Sequence, residues 1–299
     1  MKSSRSLSTL LTLGAFAIGA TCATAQDRSG RPDAAPRLTE EFEFSLGGSA
    51  SGGVERGGAE LGDVSVTSFS GGLRTFRPLD QRGRGLILGV EWTEHQLDVD
   101  AGVPLPDQLR EIQLVLGLNQ PINERWTAGI YARPGLASDF DSISGDDINL
   151  PVLLTLTYVR NPQLMWLFGV NVDPFSEYVV LPAVGVRWNF APDWTFSLGF
   201  PRTGIAYAAT DRLTLHAGAA VAGGNFHVGE DLPPGLRETT LSYREIRLGV
   251  SAEYQLRPNL GIELELGSTV DREFDYFDRD YDLDGDNVGY ARLSISGKF

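Results

Sequence analysis

Apolar and polar residues alternate with a period of two along most of this 299-residue chain, the spacing at which an extended backbone sends successive side chains to opposite faces. Leu86, Leu88, Val90 and Trp92 oppose Glu91, Thr93 and His95. Ile246, Leu248, Val250, Ala252, Tyr254 and Leu256 oppose Arg247, Ser251, Glu253 and Gln255, and Leu260, Ile262, Leu264 and Leu266 oppose Glu263 and Glu265. The final residues, 289–299, repeat it with Ala291, Leu293, Ile295, Gly297 and Phe299 on one face and Arg292, Ser294, Ser296 and Lys298 on the other. Strand-like runs fall near 40–50, 63–77, 85–96, 109–120, 126–137, 147–159, 164–172, 179–190, 194–200, 204–209, 213–222, 239–256, 260–270 and 288–299. The pattern predicts an all-β, antiparallel up-and-down fold of about 14 strands, within bounds of roughly 12 and 16. The pair 194–200 and 204–209 is the shortest, and the phase of the apolar positions in 63–77 is ambiguous.

The connections between these runs alternate in length. Residues 78–83, 121–125, 160–163, 191–193, 210–212 and 257–259 are short and carry the Pro, Asn, Asp and Gly of tight turns. Residues 51–62, 97–108, 138–146, 173–178, 201–203, 223–238 and 271–287 are mostly longer and rich in Gly and Asp. A transmembrane β-barrel has this asymmetry, with short turns on the periplasmic side and long loops outside. Most runs reach the length a tilted strand needs to cross a bilayer. An even strand count then puts both termini on the short-turn side. Trp126, Trp166, Trp188 and Trp194 each lie within a few residues of a short turn, as an interfacial aromatic girdle requires. Stretches 150–159 and 164–172 are apolar on both faces, so part of the lumen is expected to be filled by side chains or lined for an apolar ligand.

Composition narrows the choice. Thirty-five Gly, 16 Pro and the lack of helical periodicity fit an all-β chain. Residues 1–25 have a basic start, an apolar middle and Ala23-Thr24-Ala25 before Gln26, which predicts a secretory signal peptide cleaved after Ala25. A lipoprotein signal lipidated at Cys22 fits less well, with Gly19 and Thr21 before the cysteine. Residues 26–38 read as a mobile lead-in and 39–299 as the barrel. Cys22 is the only cysteine, so the exported chain has no disulfide, thiolate metal site or cysteine nucleophile. The net charge is −14, which argues against a nucleic-acid partner. The long connections carry an acidic surplus larger than that of the whole chain, so one rim is acidic.

The signal peptide, the alternating strands, the short turns and the terminal Phe299 together resemble the bacterial outer-membrane β-barrel superfamily. That resemblance implies that Ala291, Leu293, Ile295, Gly297 and Phe299 form the signal read by the barrel-assembly machinery, with Gly297 a weak apolar member. Residues 194–201 (WTFSLGFP), followed by Ile205-Ala206-Tyr207, resemble more narrowly a family of uncharacterised outer-membrane barrels known only as a domain of unknown function. The narrower resemblance implies no activity.

Candidate chemistry sits in three places. Glu91, Glu111, Gln113, Arg133, Arg187, Arg247, Glu253, Glu263, Glu265 and Arg292 are expected to line the lumen, where charges of both signs select ions or polar solutes, or else pair off and fill a narrow barrel. Asp280, Asp282, Asp284 and Asp286, within an acidic run at 271–286, match the opening of a calcium loop. The twelfth position is Ala291 where a bidentate Glu belongs, and the plainer reading is a solvated outer loop sharing divalent cations with lipopolysaccharide phosphates. The histidines are His95, His216 and His227, and no GxSxG is present. The sequence therefore predicts an outer-membrane barrel, not an enzyme and without a cofactor, acting as a passive channel or small-solute transporter with a charged lumen and acidic outer loops. A closed structural barrel, a lipid-modifying barrel enzyme and a secreted soluble β-sandwich are the alternatives.

Overall fold

The computed structural model describes residues 38–200, 202–229 and 231–299. The expected signal peptide, and the lead-in apart from Leu38, lie outside the described residues. The alternation closes into a 14-strand antiparallel transmembrane β-barrel, with essentially no helix among the described residues. Its strands are β1 (Thr39–Arg56), β2 (Ala59–Pro78), β3 (Gly85–Val99), β4 (Gln108–Pro121), β5 (Trp126–Ala132 and Gly135–Ser138), β6 (Ile148–Asn149 and Val152–Asn161) and β7 (Leu164–Val172). They continue as β8 (Val180–Ala191), β9 (Trp194–Phe200), β10 (Arg202–Ala208), β11 (Leu213–Val228), β12 (Thr239–Arg257), β13 (Leu260–Tyr276) and β14 (Tyr281–Gly285 and Gly289–Lys298). Pro134 and Pro151, which lack a backbone N–H, fall at the interruptions of β5 and β6.

Short turns are made by the side chains the sequence places there. The Asp80 carboxylate accepts the N–H groups of Arg82 and Arg84, and the Asn123 carboxamide oxygen accepts those of Arg125 and Trp126. Thr210 does the same for Arg212 and Leu213. These local bonds satisfy backbone donors that the ladder cannot reach. Closure is antiparallel, with β14 beside β1 from Glu41↔Lys298 to Ser49↔Tyr290. Phe299 and Glu40 exchange both backbone hydrogen bonds, 2.8 and 2.9 Å, and the Phe299 ring stacks on Phe42.

Outward faces in the middle of the strands form an apolar belt that includes Leu88, Val90, Leu114, Leu116, Leu264, Leu293 and Ile295. Val250, 60 % exposed, and Leu264, 50 % exposed, are typical. A continuous belt of this kind needs a lipid solvent. Its lower edge is a row of touching rings, Trp126 on Tyr158 and Trp188, Phe190, Trp194 and Tyr207 in series. Near the upper edge Trp92 lies across Gly71 beside Phe44, and a Cβ on Gly71 would sit 1.8 Å from the Trp92 ring.

Above the belt the structure departs from the expected open loops. Residues 51–62 continue β1 and β2 to a turn at Gly57 and Gly58, both with positive φ. Residues 223–228 extend β11, and 271–276 extend β13. In these extensions the apolar side chains turn inward. Val54, Val64, Val66, Leu97, Leu109, Phe226, Leu241, Tyr243, Phe274 and Leu283 form one buried cluster, joined by Val103 and Leu105 from the β3–β4 loop and Leu232 and Leu236 from the β11–β12 loop. Where the register of β12 and β13 shifts, between Ile246/Asp271 and Arg247/Thr269, a bulge at Val270 re-aims the strand. Polar side chains take the outer face at the same level, as with Arg110, Ser242 and Arg244.

The extension is not a full ring. β11 leaves β10 after Ala219 and bends across to β5, where His227 pairs with Ser138 in parallel. Strands β1–β5 and β11–β14 thus enclose the apolar cap, while β6–β10 stop lower.

Candidate functional site

Beneath the cap lies a cavity of about 690 Å³. Its walls come from β1–β4 and β11–β14, with Arg133 from the β5 interruption and Arg202 from β10. Charge pairs span it. Arg74 donates to Glu91 across β2 and β3. Lys298 meets Glu41 at 2.9 Å across the β1–β14 seam. Glu265 accepts Arg292 at 2.7 Å and the Tyr290 hydroxyl at 2.8 Å. Gln113 donates to Glu111, and Gln255 donates to Glu253. At the roof, fully buried Glu245 accepts from Arg272 and Arg247 at 2.8 and 2.9 Å, which is how a charge is tolerated away from water.

Arg202 makes the longest reach. From the short β9–β10 hairpin its guanidinium grips both carboxylate oxygens of Glu263 on β13, at 2.5 and 2.6 Å, and its Nη1 also donates to Ser251 on β12. Ser251 in turn donates to Glu263. A bidentate pair fixes direction as well as distance. At the level of the cavity the β6–β10 wall is otherwise built of small or uncharged inward positions such as Leu167, Gly169, Ala183, Gly204 and Ala206, with Arg187 lower on β8. At that level the lumen is therefore two-sided, ionic on one wall and plain on the other.

Among the residues expected in the lumen, Glu91, Glu111, Gln113, Arg133, Arg247, Glu253, Glu263, Glu265 and Arg292 all stand on the cavity wall. Arg187 shares the inward parity of Ala183 on β8 and faces the lumen lower down, between Met165 and Ser197 of the neighbouring strands and outside this cavity. Arg74, Arg202, Glu43 and Lys298 also line it. Arg202 had no readable signal, because it falls where the pattern reads as a turn. Arg74 lies in the strand whose phase is ambiguous.

The acidic run at 271–286 does not converge. Asp282 and Asp284 alternate with Leu283, whose side chain is in the cap, so both carboxylates point outward. Asp286 accepts the Gly53 N–H, and Asp280 sits in a left-handed turn. Among the described residues no group of three or more His, Cys, Asp or Glu gathers as metal ligands. The calcium-loop expectation is thus replaced by a strand: the buried Leu283 fixes a pleat that a ligand loop cannot have.

The histidines are apart. His95 Nδ1 lies 2.8 Å from the Ser68 hydroxyl, and its ring packs edge-on against Tyr243 and Phe226 under the cap. Its Nε2 has no hydrogen-bond partner among the described residues, so the pair lacks the acid of a hydrolytic triad. It also faces the lumen rather than lipid. His216 lies 3.5 Å from Glu253, and His227 lies 2.9 Å from Asp147.

A family profile described as a domain of unknown function, DUF6268, matches residues 85–282. No curated protein matches the sequence. Among solved structures, an outer-membrane channel from Pseudomonas putida F1 is similar at 12% identity and a TM-score of 0.48, over 90% of this chain and 98% of that one. A FadL homologue from Pseudomonas aeruginosa is 12% identical with a TM-score of 0.42, over 88% of this chain and 89% of that one. The Pseudomonas putida toluene transporter TodX is 13% identical with a TM-score of 0.38, over 88% of this chain and 90% of that one.

Proposed function

The chain belongs to the DUF6268 family, a domain of unknown function, and from its geometry we propose that it acts in the outer membrane as a passive channel for small polar solutes. The carrying observation is the cavity of about 690 Å³ inside a closed barrel, walled by charges of both signs. Paired charges leave a transverse field without a net sticky site, which suits passage rather than storage. Single-channel recording in planar bilayers tests it: discrete conductance steps are expected, and their absence would sink the reading.

A closed structural barrel is the second reading, favoured by the apolar cap over the outer end. Here the comparison is between the wild type and a cap-disrupted variant, Val103→Asp with Leu236→Asp. Steps seen only in that variant would support the closed barrel; steps in both support the channel. No catalytic role is assigned to Ser68 and His95. The outward carboxylates of the upper strands suit divalent cations shared with lipopolysaccharide. The stacked Phe299 and the apolar alternation behind it suit recognition by the assembly machinery. Deleting Phe299 is expected to lower the membrane-inserted fraction in cell fractionation; normal insertion would count against it.

A further inference from the structure

Most charges in the lumen are paired, and two that are not face each other. Glu41 holds Lys298, Glu91 holds Arg74, Glu263 holds Arg202 and Glu265 holds Arg292. No ion pair among the described residues includes Glu43 or Arg187. Glu43 stands between Gly72 of β2 and Ser296 of β14, and Arg187 between Met165 of β7 and Ser197 of β9. Both point inward and both are exposed, so solvent in the lumen reaches them.

Their places in the barrel are opposite. β1 and β8 are seven strands apart whichever way the ring of 14 is followed, so they lie across the lumen from each other. Glu43 is four residues from Thr39, where β1 begins, and Arg187 is four residues from Ala191, where β8 ends. At about 3.3 Å per residue both lie about 13 Å from the short-turn rim, along strands that share one tilt. The outward neighbours agree: Phe42 stacks on Phe299, and Trp188 belongs to the lower row of rings. Glu253, four residues from Arg257 at the end of β12, adds a carboxylate on the acidic side, with Gln255 and His216 beside it.

A lone cation is drawn to one of these walls and repelled by the other, and so is a lone anion. A molecule that carries both an ammonium and a carboxylate gains at both ends. We propose that Glu43 and Arg187, with Glu253 on the acidic side, make the short-turn end of the lumen a selective ring for small zwitterions of the amino-acid type. The inference rests on the channel reading and names its solute class. For charges about 3 Å apart in a wet lumen, the gain in occupancy over a neutral molecule of equal size is roughly two- to fourfold. Arg202 and Glu263 do not serve in this way, because each grips the other at both oxygens.

The test has two arms on the full chain with Cys22→Ser, in protein that keeps its heat-modifiable gel mobility. In detergent, Ser296→Cys puts a thiol beside Glu43, and Ser197→Cys puts one beside Arg187. Rates with cationic trimethylammonioethyl and anionic sulfonatoethyl methanethiosulfonate are each divided by the rate with free cysteine. The cationic reagent is expected to be favoured roughly threefold at Ser296→Cys and the anionic one roughly threefold at Ser197→Cys. Glu43→Gln and Arg187→Gln should each erase the preference beside it. In proteoliposome swelling, glutamine should enter roughly two- to fourfold faster than arabinose, and Glu43→Gln with Arg187→Gln should bring that ratio to about one. Exchanging the charges, Glu43→Arg with Arg187→Glu, should restore it, which a structural role for either residue would not. The same reagent preference at both cysteines, or a glutamine-to-arabinose ratio untouched by the Gln pair, would overturn the ring. Opposite preferences with no swelling by either solute would sink the channel reading and uphold the ring.

Discussion

Strand β12 can be divided near Ile246, and its two parts follow opposite rules. Below, Leu248 and Val250 face outward while Arg247, Ser251 and Glu253 face inward; above, Leu241 and Tyr243 face inward while Ser242 and Arg244 face outward. The backbone is continuous, and so is its pairing with β11. What changes is the solvent. In the belt the outside is lipid and the inside is wet, whereas above it the outside is water and the inside is a core. A strand face therefore has no polarity of its own, and one register step in the apolar positions is enough to move a strand from one regime to the other.

The strongest way to break this comparison is through the cap core. Phe274 is fully buried there, stacked on Tyr243 with ring centroids 4.9 Å apart. Phe274→Ala is expected to cost about 3–5 kcal/mol of cap stability. Protease should then cut the upper strands while the belt keeps its heat-modifiable mobility in gels; loss of both together would mean the two regions are one cooperative unit. Next in size, Leu264→Arg puts a charge on the lipid face and should cost about 2–4 kcal/mol in denaturant unfolding from vesicles. The same charge at Ser242→Arg, outward but above the belt, should stay within about 0.5 kcal/mol. Equal costs at the two sites would erase the distinction.

Smaller effects sharpen the picture. Glu263→Gln removes the charged partner of Arg202 and should cost about 1–3 kcal/mol, with ion selectivity shifting toward anions in reversal-potential measurements. An unchanged reversal potential would place this pair outside the conduction path. The smallest effect concerns the loop roofing β6. Burial raises the Asp147 carboxyl, but hydrogen bonds from the Ser144 N–H, His227 and Ser138 outweigh it and hold the group below its ordinary 3.8. Its contribution is therefore complete above that value and lost as pH falls through the lower folded value. Pepsin nicking within residues 139–147 should rise steeply as pH drops below about 3.8, and Asp147→Asn should flatten that rise.

The belt was legible in the sequence and the cap was not, for the same reason. Leu86 to Trp92 and Ile246 to Leu256 keep one phase long enough to read as strands, and the tryptophans beside short turns mark a rim. In β2, Val64 and Val66 are apolar on even positions, while Phe69 and Leu73 are apolar on odd ones. That switch made the run ambiguous and made 51–62 look like a loop. The acidic run at 271–286 hid a similar feature, since Phe274, Tyr276 and Leu283 are too sparse among its carboxylates to suggest a core. Most of the lumen could be read from charged residues opposite apolar ones. Arg202 could not, because its role depends on a hairpin ending early rather than on any local pattern.

The cap also sets an order of events. Its polar ties join residues far apart in the chain: Arg272 to the Val64 carbonyl, 208 positions away, and to Ser49, 223 away, and Asp286 to Gly53, 233 away. Loops of that length close late, because their entropy must be spent before any contact returns it. The first strands to emerge cannot bury Val54 or Val64 until the last ones arrive, so the cap can form only on a barrel whose ends have already met. A sealed cap is thus a record that the whole chain has been threaded and closed.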